Sequence, residues 1–165
     1  MPEYKRSWFG VNNLYPEHTE LLVRQVYLWF LTRDGQIAIV ENKTGGYQLP
    51  GGKPEAGENN QQTLRRELNE ECGIDLVKFG SIPQLIGYYL IENDPDWQAN
   101  PAYLQVRYLL KVEQLSSELE LRVNETAGEK DNMRSAKFVN LKNLTDVIPY
   151  MYNLGEYKIA SSLSY

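Results

Sequence analysis

The segment Asn60 to Cys72 does most to narrow the folds open to this chain, because it carries a full set of helix signals within a sequence otherwise rich in strand formers. Asn59 can cap its start, Gln62 stands at the reciprocal capping-box position, and Gly73 follows where a left-handed residue closes a helix. At about 100° per residue, Leu64, Leu68 and Cys72 line one face, and Glu67, Glu70 and Glu71 fall within an arc of roughly 100° beside it. Such a helix must lay its apolar stripe on another layer.

The neighbouring segments supply that layer. Residues 21 to 32 (LLVRQVYLWFLT) are β-branched and aromatic, and the Asp34-Gly35 turn signal then leads into Ile37 to Val40, which predicts an antiparallel hairpin. Gln84 to Ile91, Tyr103 to Val112 and Ala136 to Leu141 read as further strands, with another near Leu119 to Val123. A terminal helix is expected within Tyr150 to Tyr165. The predicted class is α/β (α+β), a mixed sheet with helices against it, in a single domain spanning 1–165.

Composition excludes several functions. A net charge of −5 and a pI near 5.0 give no general attraction to polyanions, which argues against a nucleic acid polymer or an acidic membrane surface as partner. No apolar run is long enough to span a bilayer. One cysteine, Cys72, rules out an internal disulfide and fits a reducing cytoplasm. It sits on the apolar stripe and reads as a small buried hydrophobe. His18 is the only histidine, so neither a histidine base nor a zinc cluster has enough ligands.

Like charges at helical spacings of three and four cost about 0.2–0.5 kcal/mol per pair. Glu67, Glu70 and Glu71 therefore do not stabilise their helix unless a cation resolves the repulsion. Hard divalent ions prefer oxygen ligands, and Mg²⁺ or Mn²⁺ held by carboxylates is suited to phosphoryl chemistry. A solvated acidic face is the plainer alternative for any lone Glu-Glu pair.

The wider pattern changes that balance. Gly52, Glu58, Arg66-Glu67, Leu68, Glu70-Glu71, Gly73 and Ile74 stand at the spacing of one motif, approached through Leu49-Pro50-Gly51. In this stretch, Gly52 to Ile74, the chain resembles the Nudix hydrolase family, with every position of the family's box filled. The resemblance implies a Nudix-like mixed β-sheet sandwiched between helices, with the box as loop, helix and loop. It also implies metal-dependent hydrolysis of a diphosphate linkage in a small-molecule nucleotide, either a nucleoside diphosphate joined to a second group or a nucleoside triphosphate. By matching position, Glu67, Glu70 and Glu71 resemble the metal ligands, Glu67 stands where a general base is often assigned, and Gly51 would offer its carbonyl to the metal. Glu58 and Arg66 resemble the family's supporting pair. A non-catalytic nucleotide-binding regulatory module of the same fold is the alternative, and a homodimer is left open.

Two further expectations lie outside the box. Tyr88 and Tyr89 fall where relatives carry substrate-selecting residues, and are candidates for stacking on a base. Enzymes resembling this one often take an extra acid from a loop across the cleft, and Asn124 to Ser135 offers Glu129 first, then Asp131 and Glu125.

Overall fold

The computed structural model describes residues 2–11, 18–124 and 133–163. Its centre is β2 (Val23–Leu31), whose side chains alternate between two covered faces. Val26, Leu28 and Phe30 point one way, Trp29 and Leu31 the other, and all five are fully buried. Burial on both faces explains why this segment reads as an unbroken apolar run.

Around β2 stand β1 (Lys5–Gly10), β3 (Gln36–Asn42), β4 (Tyr47–Gln48), β5 (Gly51–Gly52), β6 (Gln84–Glu92), β7 (Ala102–Lys111) and β8 (Met133–Asn140). They form one sheet in the order β1-β6-β7-β2-β3-β4, with β5 beside β2 and β8 beside β3. The β2–β7 pair is parallel and the others are antiparallel. The sheet is therefore mixed. Helix α1 (Asn60–Cys72) lays Leu64, Leu68 and Cys72 on Val26, Leu28, Phe30, Ala38 and Val40. Burying each leucine stabilises by about 1.5–3 kcal/mol. The opposite face is covered by α2 (Leu144–Val147), a 3-10 turn at Pro149–Asn153 and α3 (Gly155–Ser162), through Leu144, Ile148, Met151 and Ala160. No helix among the described residues is long and apolar enough to cross a membrane.

Both ends of α1 are closed as the sequence predicts. Gln62 N–H donates to Asn59 Oδ1 (2.9 Å), Asn59 N–H donates to Gln62 Oε1 (2.8 Å), and Gly73 adopts φ 68°. Three expectations are modified. The predicted hairpin pairs only at its turn, through Leu31 and Ile37. Beyond that point β2 leaves β3 and takes β5 instead, with Val26 opposite Gly52, Tyr27 opposite Gly51, and Leu28 N–H donating to Pro50 O (3.0 Å). The strand expected near Leu119 to Val123 does not form. There, Arg122 and Asn124 N–H groups donate to the carbonyls of Cys72 (3.0 Å) and Glu70 (2.8 Å), so the last turn of α1 takes hydrogen bonds that a strand would need for a ladder. The expected terminal helix is confined to Gly155–Ser162.

Candidate active site

The divergence of β2 and β3 is what carries the residues before α1 into the sheet. Gly51 has φ 144°, and a Cβ there would lie 2.1 Å from the carbonyl oxygen of Val26, so only glycine lets this backbone enter. At Gly52 a Cβ would lie 2.3 Å from Glu67 Oε1. The carboxylate of α1 thus rests on bare backbone.

Glu67 and Glu71 are 3% and 2% exposed, and Glu70 is half-buried. Buried carboxylates need compensating partners. Gly51 N–H donates to Glu71 Oε2 (2.8 Å). Arg66 supplies most of the rest, donating Nη1 to Glu67 Oε1 (2.9 Å) and to Glu70 Oε2 (3.2 Å). Its other edge grips Glu58, Nε to Oε1 at 2.8 Å and Nη2 to Oε2 at 3.1 Å, while Nη2 also reaches Lys53 O (2.9 Å). One guanidinium therefore ties the loop to three glutamates. Hydrogen bonding from Arg66 holds the Glu58 carboxyl down at about 2, aided by the Glu55 N–H and the Thr63 hydroxyl, and the same contact with Glu58 raises Arg66. Arg65 points elsewhere, beside Gln61 and Val77.

This donor set is all oxygen and suits a hard divalent cation, and the bare Gly52 backbone forms a cradle at Glu67 that any side chain would fill. The carboxylates do not converge on one point. Among the described residues no three acidic, histidine or cysteine side chains are spaced to share an ion, because Arg66 stands between Glu67 and Glu70.

The two candidate tyrosines separate. Successive strand residues face opposite ways, so Tyr88 packs with Phe9, Leu90 and Val106, its hydroxyl 2.7 Å from His18 Nδ1, whereas Tyr89 lies on the α3 side. They cannot stack on one ligand. Arg6 and Arg107 lie against the Tyr89 ring, 3.9 and 5.1 Å from its centre. Cys72 is buried, and burial raises its thiol well above the ordinary value. Glu129, Asp131 and Glu125 lie outside the described residues.

Sequence reasoning missed a second polar group on the α3 face. Arg107 is 5% exposed and Glu156 1%, and Arg107 Nε donates to Glu156 Oε2 (2.7 Å), which also accepts from Trp29 Nε1 (3.1 Å). Gln105 Nε2 donates to Gln25 Oε1 (2.6 Å). Arg107, Glu156, Gln25 and Gln105 line a cavity of about 180 Å³ with Arg6, Tyr27, Gln48 and Tyr150. Tyr27 joins the cavity to the acidic helix: burial raises its phenol, Arg107 lowers it, and Glu71 and Glu67 raise it, so its ring lies within the fields of both groups. The available signal was polar residues at alternate positions, Gln25 with Tyr27 and Gln105 with Arg107, within strands rich in apolar residues.

The chain is similar to several known proteins. A curated relative, an ADP-ribose pyrophosphatase of Methanocaldococcus jannaschii, is 28% identical over 118 residues, which are 69% of this chain and 60% of the relative's length. The chain thus matches about three fifths of that protein. A Bacillus subtilis pyrophosphohydrolase superposes with a TM-score of 0.58 at 16% identity, covering 82% of this chain and 72% of its own. The NUDIX domain of Shewanella oneidensis NrtR, solved with ADP ribose, gives 0.57 at 15%, covering 83% and 84%. These two share the fold. The NUDIX domain model itself matches residues 21–159, which contain α1, its loop and most of the sheet, and the chain belongs to the NUDIX domain family.

Proposed function

We propose that this protein hydrolyses a diphosphate linkage in a nucleotide, either a nucleoside triphosphate or a nucleoside diphosphate joined to a second group, with Mg²⁺ or Mn²⁺ as cofactor. The observation that carries this reading is the burial of Glu67 and Glu71 against the backbone of Gly51 and Gly52. Burying two carboxylates side by side on one helix is costly even when each is hydrogen-bonded, and it sets oxygen ligands against a loop of bare backbone. Glu67, Glu70 and Glu71, with the Gly51 carbonyl, would supply the oxygen donors, their carboxylates drawing together from the Arg66-bridged arrangement to share an ion, and the metal when bound would supply charge neutralisation at phosphate and a more acidic water.

The remaining roles belong to the chain itself. Arg66 restrains Glu67 and Glu70 and, locked on Glu58, is a positioning residue. The Gly51 N–H fixes Glu71. Glu67 would accept the proton of the attacking water, a role supported by its carboxylate lying against Gly52 at the loop where α1 and β5 meet. The relative that cleaves ADP-ribose makes that compound the first member of the substrate panel.

The test is turnover of nucleoside triphosphates, nucleotide sugars, dinucleoside polyphosphates and ADP-ribose with Mg²⁺ or Mn²⁺, products identified. Excess chelator is expected to abolish hydrolysis, and Glu71→Gln and Glu67→Gln each to lower kcat at least about 100-fold with the fold intact by circular dichroism. Undiminished turnover in chelator overturns the metal, and near wild-type rates in both variants overturn the assignment of the acids. Tight nucleotide binding without turnover of any panel member would make this a regulatory module.

A further inference from the structure

The loop from β6 to β7, residues 93–101, has few apolar residues, and hydrogen bonds fix its course instead. Asn93 takes a left-handed conformation, φ 57°, which asparagine tolerates better than most residues, and its N–H donates to Pro101 O (2.8 Å) across the base of the loop. The Asp94 carboxylate gathers the rest. It accepts from the Asp96 N–H (2.9 Å), the Tyr103 hydroxyl and Arg24 Nη1 (3.3 Å), while the Trp97 N–H donates to the Asp94 carbonyl (3.0 Å). Arg24 then stands over the Trp97 ring, 3.9 Å from its centre, and 5.0 Å from the centre of Tyr103. A tryptophan backed in this way is a preformed wall.

The segment before β1 supplies a second wall, tied to the loop where Asn93 Nδ2 donates to Glu3 O (3.0 Å). Between them lies a groove of about 390 Å³ lined by three prolines, Tyr4 and Trp97, with Asp94 and Gln98 among its polar members. None of its residues belongs to the acidic site or to the cavity beside Tyr27. Of the charges in and beside these segments, Lys5 meets Glu92 (3.9 Å), Arg24 meets Asp94, and Arg6 is turned over the Tyr89 ring. Glu3 and Asp96 are exposed and form no ion pair among the described residues. The rim therefore disfavours phosphate and favours a cation.

An aromatic wall beside rigid proline rings is complementary to a polyproline II segment, whose own conformation costs little entropy to fix. Such a segment has no internal hydrogen bonds, so its carbonyls need outside donors. The Tyr4 side chain is 51% exposed, and Gln98 Nε2 makes only a long bond, 3.4 Å, to Pro95 O. A space of this size admits a few residues of extended chain and excludes a helix about 10–12 Å across. We propose that this groove docks an extended, proline-containing segment of a partner protein with a lysine or arginine beside its prolines. The prolines pack on Tyr4 and Trp97, the basic side chain meets Glu3 and Asp96, and the Tyr4 hydroxyl and Gln98 amide donate to the carbonyls of the segment.

The test uses an array of synthetic ten-residue peptides holding Pro-Xaa-Xaa-Pro with one lysine or arginine beside it, probed with the full chain, and calorimetry on the leading peptides. At least one is expected to bind with Kd below about 1 mM, unaffected by excess chelator because the acidic site takes no part. Replacing its prolines with alanine, or its basic residue with glutamate, should each weaken binding about tenfold. On the protein, Tyr4→Ala and the double variant Glu3→Lys/Asp96→Lys alter exposed positions, and each should raise Kd about tenfold with Tm unchanged. Several results would overturn the proposal: no array peptide binding below about 1 mM, binding that survives loss of the prolines, or a Kd unmoved by both protein variants. Sedimentation showing self-association that Tyr4→Ala abolishes would assign the groove to a second copy of the chain and overturn it too.

Discussion

Arg66 and Glu58 illustrate how one ion pair can set both stability and geometry. The bidentate contact has both side chains mostly shielded, at 20% and 17% exposed, unlike the near-neutral pairs of open surfaces. Because the folded Glu58 carboxyl lies at about 2, below its ordinary 4.5, its contribution is fully present above pH 4.5 and is lost as the pH falls towards 2. Glu58→Gln should therefore cost about 2 kcal/mol at neutral pH, as expected for a hydrogen bond to a charged group. Urea unfolding of both proteins at pH 7 and pH 3 measures it. The gap between them should shrink in acid, and a gap independent of pH would show that the charge of Glu58 does not matter. Glu58 and Arg66 were readable as a pair only through the family resemblance. That Arg66 also restrains Glu67 and Glu70 required the folded loop, where the Lys53 carbonyl fixes its second edge.

Among elements, α1 was the most legible because everything that defines it is local. Its cap, its closing glycine and its stripe lie within fifteen residues, Asn59 to Gly73, and all appear in the fold as expected. The segment 119–124 fails for the opposite reason: its apolar residues suggest a strand, but its backbone is claimed by helix carbonyls some fifty residues earlier in the chain. The two-residue β5 had no strand signal at all, and it is the element on which the site depends. Gly51→Ala should be among the most damaging single substitutions, since the new methyl would meet the Val26 carbonyl and demand a backbone conformation costing about 1–3 kcal/mol. Thermal unfolding should show a clear loss, and turnover should fall further than stability because Glu71 loses the N–H that fixes it. An alanine variant with unchanged Tm and kcat would mean that the loop is free to shift.

At the scale of the whole molecule, the buried Arg107–Glu156 pair links the start of α3 to the middle of β7. Removing one partner strands the other charge in the interior, so Glu156→Gln should cost about 3–5 kcal/mol, while replacing both with methionine should recover most of that loss. Equilibrium unfolding of the single and double variants decides it. A double variant no more stable than the single would show that packing around α3, not the unpaired charge, sets the cost.

What the sequence determined by itself was whatever short-range physics controls: the caps and apolar stripe of α1, the strand segments with their alternation or continuous burial, and the clustering of Glu67, Glu70 and Glu71 on one arc, which follows from helical geometry alone. Tertiary structure decided what those pieces meet. It split β2 from β3 so that Gly51 and Gly52 could enter, set Tyr88 and Tyr89 on opposite faces, and brought Arg107 to Glu156 and Gln25 to Gln105 across 49 and 80 residues of chain. Pairings between distant residues depend on strand order and register, which no local propensity encodes, and they built the cavity beside the acidic helix.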